Sequence, residues 1–203
     1  MFYHIQLNCI PRSGSHLLLS HLFPRGYVEL SNMPSKELKR YKGLCVIHNH
    51  VPEGINLRRF PDNKQVVNVI LKRNYFMSAI SLLVAEYTKQ YNWATYTDNN
   101  FEKIYIPSYR IEQMMLGHVE AIKTWKKFKH PRIARTVILD YDDLVNNRWT
   151  SVYNKLGIVH EPKHIGVDGL GTPFDLVVKS PNKSSIIVSN YKELKNRYKH
   201  FLT

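Results

Sequence analysis

A strand, a glycine turn and an apolar helix follow one another without a spacer at the start of this chain. Residues 2–10 set apolar side chains between His4, Gln6 and Asn8, which reads as a β-strand. Pro11-Arg-Ser-Gly-Ser15 then turns the chain, and Ser15–Leu22 reads as a short apolar helix. The alternation continues. Strands are expected at 44–48, 66–71 and 135–139, and helices at 78–90, 110–128, 148–156 and 190–202. Ala79, Leu82, Leu83 and Tyr87 share one face of the second helix. In the third, Ile111, Met114, Met115, His118, Val119, Ile122, Trp125 and Phe128 recur at spacings of three and four, which marks a core stripe. Asp142 or Asp143 is expected to cap a short helical turn, and Asn190 to cap the last helix. Strands alternating with helices imply an α/β fold: a single domain over residues 1–203, with a mainly parallel central sheet flanked by helices.

Composition narrows the class. Of 203 residues, 43% are hydrophobic and 22% charged, which excludes wholesale disorder. Lys and Arg number 29 against 16 Asp and Glu, a net charge of +13 that points to an anionic partner without saying which. The two cysteines, Cys9 and Cys45, cannot supply a disulfide scaffold or a tetrahedral zinc site, and they fit a reducing compartment. No stretch reaches the ~18 apolar residues of a membrane span. The first ten residues have no basic region before an apolar one, so a cytoplasmic location without a signal peptide is expected.

In an open parallel sheet, ligands bind beyond the carboxyl ends of the strands. Three segments hold candidate residues there. After the first strand, Arg12, Ser13, Gly14, Ser15 and His16 could form an anion cradle, with helix amides, hydroxyls and a guanidinium facing one ligand. No lysine follows Gly14, so the nucleotide-kinase pattern is missing. An ordinary β–α turn with a serine cap accounts for the same residues. After the second strand come His48 and His50, just before Val51-Pro52. A histidine here could serve as a general base, and an edge-of-core histidine is the plain alternative. The two histidines share a strand face, but no nearby carboxylate or cysteine cluster completes a metal site, so no metal is expected. After the third strand, Lys72 and Arg73 precede Ser81 by eight or nine positions. Arg73 and Ser81 could hold a second anion, or be a solvated pair and a helix serine.

Together these segments resemble sulfotransferases that use 3′-phosphoadenosine 5′-phosphosulfate (PAPS). The family's 5′-phosphosulfate loop, P-[KR]-S-G-[ST]-[ST], is matched by Pro11-Arg-Ser-Gly-Ser-His16. Its K-T-H-L-P is matched by His48-Asn-His-Val-Pro52, and its C-R-N-x-x-D-x-x-x-S by Lys72-Arg-Asn-Tyr-Phe-Met-Ser-Ala-Ile-Ser81. Leu139-Asp-Tyr-Asp-Asp-Leu144 looks like its Y-E-D-L segment, and the order agrees. His16 stands in place of a hydroxyl, and His48 in place of a lysine near the bridging oxygen. The family's R-K-G segment is missing. Ser180-Pro-Asn-Lys-Ser-Ser185 instead resembles the R-S-S stretch of smaller bacterial members, which implies Lys183, and Lys179 after it, near the nucleotide.

The resemblance implies a P-loop-NTPase-like sulfotransferase fold and sulfuryl transfer from PAPS to a hydroxyl or amine of a small molecule or glycan. The products include 3′-phosphoadenosine 5′-phosphate (PAP), and neither metal nor nucleic acid is needed. Arg12 and the loop would hold the 5′-phosphosulfate, Arg73 and Ser81 the 3′-phosphate. His48 would donate to the leaving group and His50 would take the acceptor's proton. The acceptor would be held by residues 32–42, 92–108 and 160–172, with Tyr91, Trp93, Tyr96 and Tyr105 as stacking faces. Two other classes compete: a P-loop nucleotide or polynucleotide kinase, and a basic nucleic-acid-binding domain. The first lacks its lysine. The second should gather its charge into one stripe, but Lys and Arg are spread over every segment.

Overall fold

The structure is a computed structural model, and it describes residues 3–30, 41–50, 55, 57–89, 103–158 and 187–201. The chain forms two compact units: Met1–Lys72 with Ala121–Val177, and Arg73–Glu120 with Val178–Thr203.

The first unit is built on a five-stranded sheet, parallel throughout. Its strands are β1 (His4–Cys9), β2 (Tyr27–Glu29), β3 (Leu44–Asn49), β4 (Val66–Lys72) and β5 (Ile133–Asp140). They lie side by side in the order β2-β3-β1-β4-β5. β1 is therefore central: the chain leaves it for one edge and returns on its other side. That reversal is where an open parallel sheet binds ligands. The three-residue β2 is an addition to the sequence reading. So short an edge strand has no periodicity to detect, and only the left-handed turn at Gly26 (φ 83°) announces it.

The strict alternation along β1 sorts its side chains. Ile5, Leu7 and Cys9 join one apolar layer with Leu18, Leu19 and Leu22 of α1 (Ser15–Leu22). Leu144 of α4 (Tyr141–Val145) and Val152 and Leu156 of α5 (Trp149–Leu156) complete that layer. His4, Gln6 and Asn8 take the opposite face, and all three are fully buried. Asn8 belongs to a paired ladder, whereas Gln6 donates to Asn8 and to the Ile47 carbonyl but its Oε1 has no hydrogen-bond partner among the described residues. Asn8 Nδ2 donates to Asn68 Oδ1 at 2.6 Å, and Asn68 Nδ2 donates to the Trp125 carbonyl at 3.2 Å and to Thr136 Oγ1 at 3.1 Å. Buried amides are as a rule paired in this way. Asp140, not Asp142 or Asp143, precedes α4, and it makes no capping bond. Asp143 lies inside the helix, paired with Arg148 and Lys155 at 3.3 and 3.1 Å.

The second unit holds α2 (Tyr75–Thr88), the first part of α3 (Ser108–Lys127), α6 (Tyr191–Arg197) and a single bridge between Ile104 and Val188. α2 begins three residues earlier than the sequence suggests because Asn74 caps it, accepting the Met77 N–H at 2.9 Å. Its buried face carries Phe76, Ala79, Ile80, Leu83 and Val84, and Tyr87 is 49% exposed, so the expected face is rotated. Ile111, Met115 and His118 of α3 are buried as expected. Asn190 occupies the N-cap position of α6 as expected, but its side chain makes no capping bond there. Its amide instead pairs with the backbone of Ile106, donating to the carbonyl at 2.8 Å and accepting from the N–H at 3.2 Å.

Candidate active site

The carboxyl ends of β1 and β3 bring the first two sequence segments together. In the turn after β1, Arg12 has φ 63° and Gly14 has φ 86°, two left-handed residues around Ser13. Left-handed residues placed so closely are compatible with an anion-binding turn, although the Ser13 N–H donates within the turn to the Ile10 carbonyl at 3.3 Å. For Arg12 that backbone is costly, and such cost is characteristic of functional turns. Gly14 has a further constraint: a Cβ there would stand 2.7 Å from the ring of Tyr141. The segment after β5 thus presses on the loop after β1. Gly14, not a serine, occupies the N-cap of α1, and no side chain caps the helix. Ser13 is buried, yet its hydroxyl has no hydrogen-bond partner among the described residues. A buried orphan donor in such a turn at an uncapped helix start fits an anionic group such as a phosphosulfate.

His48 and His50 point to the same side of β3, and parallel pairing sets Leu7 beside His48 and Asn8 beside Asn49. That register delivers the Cys9 thiol to both rings. Cys9 Sγ lies 3.0 Å from His48 Nε2 and 3.4 Å from His50 Nδ1. Glu29, at the end of β2, sits 3.5 Å from His48 Nδ1. Burial raises the Cys9 thiol's pKa, but hydrogen bonds and charge from the two imidazoles outweigh it and bring the pKa below its ordinary value. Burial lowers the pKa of His48, and the bonds to Cys9 and Glu29 reverse that and raise it. His48 is therefore a fixed cation, with both ring nitrogens engaged. Cys9 and Glu29 thus flank the two ring nitrogens of His48.

His50 has a different geometry. Its Nδ1 donates to the Cys9 carbonyl at 3.0 Å, and no hydrogen bond among the described residues engages Nε2. An imidazole pinned at Nδ1 with Nε2 open has the tautomer a general base needs. Burial lowers its pKa, the Cys9 thiolate raises it more, and the net shift is upward. His16 sits at the start of α1 with its ring 6.2 Å from that of His48, edge to face. Burial and the His48 charge lower its pKa, so it remains neutral.

Lys72 pairs with Asp140 at 3.1 Å on the surface. Arg73 begins the second unit, and Ser81, on α2, is buried there. Lys179, Lys183, Tyr91, Trp93 and Tyr96 lie outside the described residues, as do most of the three proposed acceptor segments. Tyr105 is described and is 63% exposed.

Three contributions escape sequence reading: those of Cys9, Glu29 and Tyr141. Cys9 is the last residue of β1, directly before the turn, and that position is its only signal. Glu29 becomes relevant through strand order, which leaves no local pattern, and Tyr141 lies in the Leu139–Leu144 segment already singled out, though its contact with Gly14 comes only from packing. No helix among the described residues is long and apolar enough to cross a membrane.

No family profile matches the sequence, and no curated protein matches it. Among solved structures, a mouse sulfotransferase complexed with PAP resembles it with a TM-score of 0.46 and 17% identity. The match covers 78% of this chain and 59% of that one, so the chain spans less than two thirds of that enzyme's length.

Proposed function

We propose that this chain is a PAPS-dependent sulfotransferase, a single cytoplasmic domain of P-loop-like sulfotransferase fold. It would move a sulfuryl group to a hydroxyl or amine of a small-molecule or glycan acceptor. The observation that carries this reading is the juxtaposition at the ends of β1 and β3. An anion-binding turn with an orphaned Ser13 hydroxyl lies beside a cationic His48 and a histidine with an open Nε2.

Each residue then has a defined task. The loop amides, Arg12, Ser13, Ser15 and neutral His16 hold the 5′-phosphosulfate. Arg73 and Ser81 hold the 3′-phosphate, with Lys183 and Lys179 near the nucleotide. His50 Nε2 accepts the acceptor's proton as the acceptor oxygen bonds to sulfur. The bond from sulfur to the 5′-phosphate oxygen breaks, and its electron pair stays on that oxygen. The His48 cation and the Arg12 guanidinium offset the charge that develops there. Positioning and electrostatics carry most of such an in-line transfer.

Binding tests the reading without an acceptor. Thermal shifts are measured without divalent metal for PAP, 5′-AMP, ATP, GTP and a DNA oligonucleotide. PAP is expected to stabilise most, because it alone fills both anion sites. Arg73→Ala is expected to weaken PAP about tenfold or more, the ~1.5–3 kcal/mol of a charge-assisted bond, with AMP little changed. Equal stabilisation by PAP and AMP removes the assignment. A larger shift with ATP and Mg²⁺ favours a kinase, and one with DNA a nucleic-acid binder.

A further inference from the structure

Sequence reading finds two histidines and nothing to complete a metal site; the β1–β3 register supplies the missing ligand. Cys9 Sγ, His48 and His50 offer three ligand atoms within 4.8 Å of one another. A tetrahedral zinc ion with bonds of ~2.3 Å to sulfur and ~2.0–2.1 Å to nitrogen needs its ligand atoms ~3.3–3.6 Å apart. The sulfur-to-nitrogen separations of 3.0 and 3.4 Å stand close to that before any metal enters. We infer that Cys9, His48 and His50 form a binding site for a zinc-like divalent cation, with a fourth position open to solvent or an anion.

An independent feature supports the assignment. Metal-bound histidines characteristically give their second nitrogen to a carboxylate, which fixes the ring. His48 presents Nε2 to the thiol and Nδ1 to Glu29, the same arrangement. One thiolate and two imidazoles form a set suited to Zn(II), not to Mg²⁺ or Ca²⁺, which take oxygen ligands. His50 is the ligand that must adjust, because Nδ1 now donates to the Cys9 carbonyl and must release it to bind metal. Binding replaces the protons between sulfur and the rings and expels them to solvent.

One consequence rests on the sulfuryl-transfer reading. A metal on His50 Nδ1 forces the ring proton onto Nε2, the atom proposed to accept the acceptor's proton. Metal binding and transfer therefore exclude one another, and zinc is an inhibitor of this chain, not a cofactor.

The experiment is a Co(II) titration of the whole chain, read by absorption. One ion per chain is expected, with thiolate-to-cobalt charge transfer in the near ultraviolet and tetrahedral ligand-field bands in the visible. Zn(II) added afterwards should bleach both. Cys9→Ser should abolish the charge-transfer band. His50→Ala should weaken binding at least about tenfold, and Glu29→Gln ~10–100-fold with the spectrum retained, the behaviour of an orienting partner. If Cys9→Ser does not fold by circular dichroism, the His50→Ala and Glu29→Gln titrations decide. No charge-transfer band in the parent, or affinities unchanged in the folded variants, overturns the site. None of these readouts needs PAPS or turnover, so a failed transferase assignment leaves the cobalt result standing.

Discussion

His4 opens β1, while His48 lies at the end of β3 with His50 just beyond it, and the two ends of the sheet treat these histidines oppositely. At the amino end, His4 is fully buried, stacked on Phe60 with ring centroids 5.0 Å apart. Its Nε2–H donates to Asp62 at 2.8 Å, and its Nδ1 accepts the Cys45 N–H at 3.2 Å. One nitrogen donates and the other accepts, so the ring is neutral. Burial lowers its pKa, and the Lys64 and Arg132 charges reinforce that against the pull of Asp62. At the carboxyl end, His48 is half-buried and His50 is exposed, and both pKa values move up, because the Cys9 thiol faces them. A histidine is thus held neutral where a backbone N–H needs an acceptor, and its pKa rises where an ionisable thiol faces it. The amino-end histidine serves packing and backbone pairing, and the carboxyl-end histidines gather around a thiol.

That contrast breaks most visibly in rate. His50→Ala should lower single-turnover sulfuryl transfer to a generic phenol by ~10²–10⁴, the usual worth of a general base, with PAP affinity and melting temperature nearly unchanged. Because its pKa lies above the ordinary 6.5, the parent's rate should climb with pH through a midpoint above that value. His48→Lys, which keeps a cation, should retain more activity than His48→Ala. Near-normal turnover in His50→Ala moves the base to another residue, His48 or His16 first.

The reverse is expected of His4→Ala. It strands the Cys45 N–H and opens a cavity beside Phe60, at a cost of ~2–4 kcal/mol in denaturant unfolding. The PAP dissociation constant should barely move. A large loss of PAP affinity at unchanged stability would abolish the division of labour between the two ends.

Gly14→Ala should cost less, ~1–2 kcal/mol for a left-handed alanine, plus whatever displacement of Tyr141 its Cβ requires. Here stability and PAP binding should fall together, since the residue shapes the turn and packs it against α4. A variant as stable as the parent that binds PAP normally would show the turn to be plastic.

The smallest effect belongs to Asp62. The carboxyl is partly exposed; slight burial raises its pKa, but the bonds from His4 and Lys64 prevail and lower it to about 2. A depressed carboxyl stabilises the fold above its ordinary 3.8, and that contribution is lost as pH falls toward about 2. His4 acts in the same direction, since its lowered pKa makes the unfolded chain bind a proton first as pH drops below 6.5. Asp62→Asn should therefore cost under about 1 kcal/mol at pH 7. It should also flatten the acid limb of the stability profile, as followed by urea midpoints between pH 7 and 3.

What the sequence determined by itself was everything that repeats locally. The parallel α/β class, the helix at Ser15–Leu22, the core stripe of α3 and the turn at 11–15 follow from periodicity and turn chemistry over a few neighbouring residues. Candidate anion-loop residues were legible for the same reason, since a cradle at a helix start is contiguous. Strand order was not, because the three-residue β2 has no period and nothing local says that β3 lies between β2 and β1. Yet that order and register alone set Cys9 beside His48, 39 positions away, and Glu29 behind it. Charge state follows proximity, and proximity between distant residues is fixed by pairing. Sequence could name His48 and His50, but only the tertiary structure could make one a cation with both nitrogens held and leave the other an open Nε2.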